Sequence, residues 1–165
     1  MSNVIHADAL YSGADKQAVV GKIYEDLFQD SNGNVSVRYI RLIKAKVAIT
    51  AGELCAFAPA DAASAYTEGL GGPVATAEIA RPLVAGVAVA DIAQDEFGFV
   101  VCRGVVEGVK AAAGINIGEL LGSTNAAGGG QVDDLSPAAG KSISILGVAL
   151  TATASSAITA YINVL

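Results

Sequence analysis

The residues of this chain whose types could do chemistry are the adjacent acids Asp95-Glu96 and Asp133-Asp134, the single histidine His6, the thiols Cys55 and Cys102, and the triplet Gly140-Lys141-Ser142. A general acid–base pair needs two carboxyls aimed at one point, whereas sequence neighbours on a turn or strand point apart. Both acid pairs therefore read as solvated turn residues, with weak surface Ca²⁺ binding the most their oxygens offer. His6 lies in a stretch without clear period, and a Ser–His–acid triad built there would lack the positioning such catalysis requires. It has no partners at metal-ligand spacing, and the two cysteines match no metal spacing either. Gly140-Lys141-Ser142 looks like the end of a phosphate-binding loop, but the leading glycine would fall at 135, where the chain has Leu. The run after it, Ile-Ser-Ile-Leu, is a strand pattern rather than the helix whose N-terminus would hold phosphate. Gly128–Gly130 lacks a following helix too. The Gly-Glu-Leu turns at 52–54 and 118–120 suggest lipoyl or biotinyl carriers, yet no lysine sits at a turn tip flanked by acid or Met. No catalytic, cofactor-binding or metal-binding residue is assigned.

The elements that would position such residues are organised around Arg81–Thr124. At its centre, Phe97 to Val106 is apolar on both parities apart from Arg103. A strand alternates its faces, so this one is expected to be covered on both, by a second sheet or by a neighbouring subunit. Phe97, Phe99, Val101 and Val105 are accordingly assigned to the core or to a subunit interface. The same stretch joins two copies of an internal repeat. Lys44-Ala45-x-x-x-Ile49-x-x-Gly52-Glu53-Leu54 recurs, 66 residues on, as Lys110-Ala111-x-x-x-Ile115-x-x-Gly118-Glu119-Leu120, and Gly86-Val-Ala-Val89 recurs, 61 residues on, as Gly147-Val-Ala-Leu150. Connecting loops absorb the five-residue difference cheaply. The repeat spans about 44–104 and 110–165, and two small β units sharing one core fit it better than a solenoid.

Composition bounds the rest. A chain of 165 residues is one domain with room for a proper core. Charged residues stand at 16%, against a usual value of about 25%. With so few charges and 19 glycines, much of the surface is expected to meet other protein. A net charge of −6 argues against general nucleic-acid binding. No signal peptide is expected from the N-terminus, so both cysteines are expected to be reduced core thiols. Ser142–Leu165 is uncharged, but Ile158, Ala160, Ile162 and Val164 alternate with Thr159, Tyr161 and Asn163, the pattern of a half-buried strand and not of a membrane span.

Along the chain, residues 1–20 read as an arm and 21–165 as a single all-β domain, a small barrel or sandwich. Asn32-Gly33 between two apolar runs predicts a hairpin with a type I′ turn. In its second strand Val35, Val37, Tyr39 and Ile43 share one parity, while Ser36, Arg38, Lys44 and Lys46 share the other. No acid lies between Asp30 and Glu53, so the second parity is either a solvated face or a contact for an acidic partner. Lys44–Phe57 and Lys110–Gly122 predict two hairpins turning at Gly52 and Gly118. Ala58–Pro82 reads as a loop with one helical turn at 60–66, residues 83–107 as two strands around the turn at Asp95-Glu96, Ala126–Gly140 as a mobile loop, and 143–165 as the last two strands.

Three features together resemble the capsid decoration, or cement, proteins of tailed bacteriophages. They are Ile23-Tyr-Glu-Asp…Asp30-Ser-Asn-Gly-Asn34…Val37-Arg-Tyr-Ile-Arg41; Val87-Ala-x-x-x-Ile92 with Phe97-Gly98-Phe99-Val100 and Arg103-Gly104; and Ala113-x-Ile-x-Ile-Gly118-Glu119-Leu-Leu121 with Gly147-Val-Ala149. The likeness covers roughly 20–165, and the chain departs from it at Leu27-Phe28-Gln29, which lengthens the first strand. It implies an all-β fold, homotrimeric or other multimeric packing, and binding to major capsid protein on the outer surface of a virion assembled in a bacterial cytoplasm, without catalysis, cofactor, nucleic acid or membrane. Arg38, Arg41, Lys44 and Lys46, or the arm, are the candidate capsid contacts. Two rivals remain at this stage: a tail, fibre or adhesin component, and a small trimeric β-barrel enzyme with a cleft near Asp91, Asp95, Glu96, Asp133 or Asp134.

Overall fold

The structure is a computed structural model and describes residues 20–57, 69–73, 83–123, 130–134, 145–153 and 156–165. The expected arm, save Val20, and the expected helical turn at 60–66 lie outside these residues. The fold is all-β. Its strands are β1 (Ile23–Gln29), β2 (Val35–Ala45), β3 (Leu54–Phe57), β4 (Leu70–Pro73), β5 (Val84–Ala88), β6 (Phe97–Lys110), β7 (Leu120–Ser123), β8 (Val132–Asp134), β9 (Gly147–Ala149) and β10 (Ala157–Asn163). They form one sheet in the order β1-β2-β4-β3-β5-β6-β10-β9-β7-β8, and a further pairing of β2 with β6 closes β2, β4, β3, β5 and β6 into a ring.

The two sequence copies make the same backbone pairings. Cys55 faces Pro73 and Phe57 faces Gly71 across β3–β4, just as Leu121 faces Asp134 and Ser123 faces Val132 across β7–β8. Leu54 faces Val87 and Leu120 faces Val148. Ala45 lies parallel to Gly71, and Ala111 parallel to Val132, so β8 returns beside the end of β6 as β4 does beside β2. Each turn glycine has φ above +80°, and the following Glu reaches back to the N–H three residues earlier: Thr50 N donates to Glu53 Oε2 and Asn116 N to Glu119 Oε2, both at 2.8 Å. That hydrogen bond, with the one from the Asn116 side chain ahead of it, holds the Glu119 carboxyl below its ordinary value. A Cβ on Gly86 would run into the Val101 carbonyl oxygen, and one on Gly147 into that of Tyr161, so both copies need a bare backbone where they cross the next strand.

Strand β6 belongs to both units. Its first half, Phe97–Cys102, is buried on both faces. Val100 joins Ile43, Ile49, Cys55, Phe57 and Ile92 in one cluster, confined to the first ring. Phe99, Val101 and Cys102 join Leu54 and Val87 in a larger cluster that also takes in Ile115, Leu121 and Leu146 of the second unit. The expected double cover of this strand is thus supplied by the chain itself.

Four expectations are corrected. The two copies are not hairpins: β4 lies between β2 and β3, parallel to one and antiparallel to the other, so the chain arches over Gly52 instead of folding back on its neighbour. The tip of β1–β2 is not a type I′ turn. Gly33 N donates to Asp30 O, Asp30 N to Asn34 O, and only Gly33 has positive φ, giving a three-residue loop with the glycine at the left-handed position. The Asp30 carboxylate sets this geometry by accepting from Asn34 Nδ2 and the Asn32 and Asn34 amides, which holds its pKa below the ordinary value. Within Ala126–Gly140, residues 132–134 form strand β8, so Asp133 and Asp134 are strand residues and not turn residues.

The fourth correction concerns the faces of β2. Val35 and Val37 are exposed at 66% and 52%, while Arg38 is buried at 9%. Arg38 shares parity with Ile40 and Leu42, both fully buried. Burying each of those side chains gains about 1.5–3 kcal/mol, and flipping the strand to free Arg38 would forfeit both.

Candidate interaction surfaces

The basic residues singled out by the sequence do not make one basic face. Arg38 Nε donates to Asp26 Oδ2 at 2.6 Å, across the directly paired positions of β1 and β2, with Asp26 only 2% exposed. Its guanidinium also lies 4.4 Å from the centre of the Phe28 ring. Arg38 is therefore an internal ion pair and is withdrawn as a capsid contact. Arg41, on the opposite parity, is half-buried, with its guanidinium 5.4 Å from the Phe57 ring centre and its Nε buried without a hydrogen-bond partner. Lys44 is half-buried with Nζ 5.9 Å from the Phe97 ring, and Lys46 lies exposed just past the strand. The acid-free stretch of sequence is not acid-free in space. Strand β1 sets Glu25 and Asp26 opposite Tyr39 and Arg38, and the turn before β6 hydrogen-bonds Asp95 N and Glu96 O to the backbone of Ala45.

The candidate core residues divide. Phe97, Phe99 and Val101 are buried, with Tyr24 edge-on to Phe99 at 6.2 Å between ring centres. Val105 is half-buried on the outward side of β6, beyond Gly104, where the exposed Arg103 marks the change of face. Both cysteines are free and fully buried, and burial pushes both thiols up, away from the thiolate that would make them reactive.

Of the acids named with the enzyme reading, Asp91 accepts the Ala51 amide at 2.8 Å and Asp95 occupies a turn at φ +66°, with Glu96 beside it. The side chains of Asp133 and Asp134, and His6, lie outside the described residues. Among those described, no three His, Cys, Asp or Glu residues are grouped closely enough to hold a metal ion.

What the sequence reading missed is an outward sheet face. Strands β1, β2, β6, β10, β9 and β7 are successive antiparallel neighbours. On their outer side Leu27 faces Val37, while Val105, Tyr161, Val148 and Leu120 form one continuous line of register partners across four strands. Leu27 is 53% and Leu120 47% exposed. Arg103 ties the parts together, its Nε donating to Tyr161 Oη at 3.4 Å and its guanidinium 5.9 Å from the Tyr39 ring; the hydrogen bond it donates to the tyrosine raises its pKa. At the hairpin tip the Ser31 amide and hydroxyl both donate to Glu107 Oε1, fastening β1–β2 to β6. The period-2 alternation of β10 signals half of this face, but nothing local signals that β2 delivers the other half.

No protein-family model and no curated protein sequence matches the chain. Among solved structures, the fold is similar to the head fiber gp8.5 N base of bacteriophage phi29, with a TM-score of 0.53 and 18% sequence identity over 76% of this chain and 93% of that one.

Proposed function

We propose that this chain is a non-catalytic structural protein of a bacteriophage head, docked on the outer surface of the major capsid lattice without cofactor, nucleic acid or membrane. The observation that carries the reading is the fold likeness to a head fiber base, which covers nearly all of that neighbour. The motifs that resemble those of decoration proteins and the charge-poor composition point the same way. In physical terms, a protein that binds only the assembled shell stabilises that state by mass action, and many weak copies fixed by lattice symmetry act together. With Arg38 internal, Arg41, Lys44 and Lys46 stay as the candidate capsid contacts. A second reading, favoured by the same likeness, is that the chain anchors a projecting fibre rather than cementing the shell.

Adding the purified protein to heads that lack it and then heating them separates these readings. Co-sedimentation with heads and a raised temperature of DNA release fit a cement. Co-sedimentation with no change in release fits a fibre base. Failure to bind heads rejects a place on the head.

A further inference from the structure

Asn32-Gly33, at the tip of the first hairpin, shapes a loop and is also a reactive pair. An asparagine side chain can be attacked by the backbone nitrogen of the next residue, and that nitrogen is least crowded where the next residue has no Cβ. Of the six asparagines only Asn32 is followed by Gly; the others precede Val, Ile or Ala. Asn32 is exposed, and its side-chain amide makes no hydrogen bond among the described residues. The nucleophile, by contrast, is tied down. Gly33 N donates to Asp30 O at 2.9 Å. The Asp30 carboxylate accepts from the Asn32 and Asn34 amides at 2.9 and 2.8 Å and from Asn34 Nδ2 at 2.9 Å, so one side chain fixes the whole loop. While these bonds hold, the Gly33 nitrogen keeps its proton and faces Asp30 O.

We propose that Asn32 is a site of spontaneous deamidation, held back by Asp30, whose product loosens the hairpin tip from β6. In the reaction the Gly33 nitrogen bonds to Cγ of Asn32, the Cγ–Nδ2 bond breaks, and the Gly33 proton leaves with Nδ2 as ammonia. Water then opens the cyclic imide at one of its two carbonyls, returning a proton to Gly33 N and leaving aspartate or isoaspartate at 32. Water is the sole co-reactant. Each local opening of the loop frees the Gly33 nitrogen and permits the first step. The product sets a new carboxylate beside that of Asp30 and next to Ser31, whose amide and hydroxyl fasten the tip to Glu107. Three acids then repel one another around that fastening. Isoaspartate also adds a backbone atom to a three-residue loop, so Gly33 N no longer closes on Asp30 O at the same spacing. The inference is independent of a place on a head, because it concerns the chemistry of the isolated chain.

The test follows the mass and peptide map of the purified full chain during incubation at neutral and mildly alkaline pH. Native wild type, wild type unfolded in guanidinium chloride and native Asp30→Ala are compared. Conversion is expected at Asn32 and not at Asn34 or Asn116, and it should speed up as pH rises, because the attacking nitrogen must lose its proton. Native wild type should convert roughly tenfold more slowly than native Asp30→Ala, the factor that about one loop hydrogen bond supplies. If Asp30→Ala fails to fold, the unfolded wild type gives the unrestrained rate instead. Equal rates in native wild type and either reference overturn the proposal, as does a native chain still unconverted once the unfolded chain has converted fully. Asn32→Asp places the ordinary product in the loop directly, and its Ser31 amide should exchange hydrogen with solvent faster than in wild type. Unchanged exchange at Ser31 would mean that the tip stays fastened, and would overturn the loosening.

Discussion

Arg38 enters the protein interior as a consequence of its neighbours. The strand buries Ile40 and Leu42 on its parity, and the guanidinium is tolerated there because Asp26 stands directly opposite on β1. Such a pair is weak evidence of net stabilisation, since each ion has lost its water, but removing one partner leaves an uncompensated buried charge. Asp26→Ala or Arg38→Ala is therefore expected to cost about 3–5 kcal/mol in urea unfolding. The double replacement Asp26→Leu with Arg38→Met should recover most of that loss. A double mutant as unstable as the worse single one would show that the site needs its shape or its ring contact with Phe28 rather than charge balance.

At the scale of elements, the Gly-Glu-Leu arch is the unit that the repeat copies, and its two instances differ in surroundings. Glu53 is 7% exposed; besides the Thr50 amide it accepts Lys110 Nζ at 3.0 Å, and Gly130 leaves no room for a Cβ beside its side chain. Glu119 makes the equivalent turn bonds, to Asn116, in solvent. Hydrogen bonds to a buried charge are worth about 1.5–3 kcal/mol, so Glu53→Ala is expected to lose about that much stability. Glu119→Ala should lose less; equal losses from the two would mean that the ion pair with Lys110, at the start of the second repeat, adds nothing to the turn bonds of Glu53. The repeat itself was readable from sequence because a left-handed glycine followed by a turn-closing Glu is a strict local requirement. The arrangement of strands around it was not. The strand that separates β2 from β3 is Leu70-Gly-Gly-Pro73, and its counterpart is Val132-Asp-Asp134, residues whose propensities say loop and whose pairing is imposed by the ring. The faces of β2 were equally undecidable locally, because Val35 and Val37 on one parity match Ile40 and Leu42 on the other. Of the candidate contact residues, only tertiary placement could show that Arg38 is spent on Asp26.

Taken as a whole, the molecule cannot be cut between its repeats. Strand β6 closes the first ring with its N-terminal half and starts the second unit with its C-terminal half, while the larger core cluster draws side chains from both. Opening the second unit would expose Leu54, Val87 and Val101, at about 1.5–3 kcal/mol for each large apolar side chain uncovered. Local unfolding of one repeat is thus tied to loss of the other, and a single cooperative transition is expected. In calorimetry the measured and van't Hoff enthalpies should agree, and far-ultraviolet circular dichroism should trace the same curve as reaction of the two buried cysteines with a thiol reagent. Cys55 lies in the cluster confined to the first ring and Cys102 in the shared one, so they report on separate regions. If Cys102 reacted at markedly lower denaturant than Cys55, the second unit would be opening alone. The sharing of β6 would then be a matter of connectivity and not of energy.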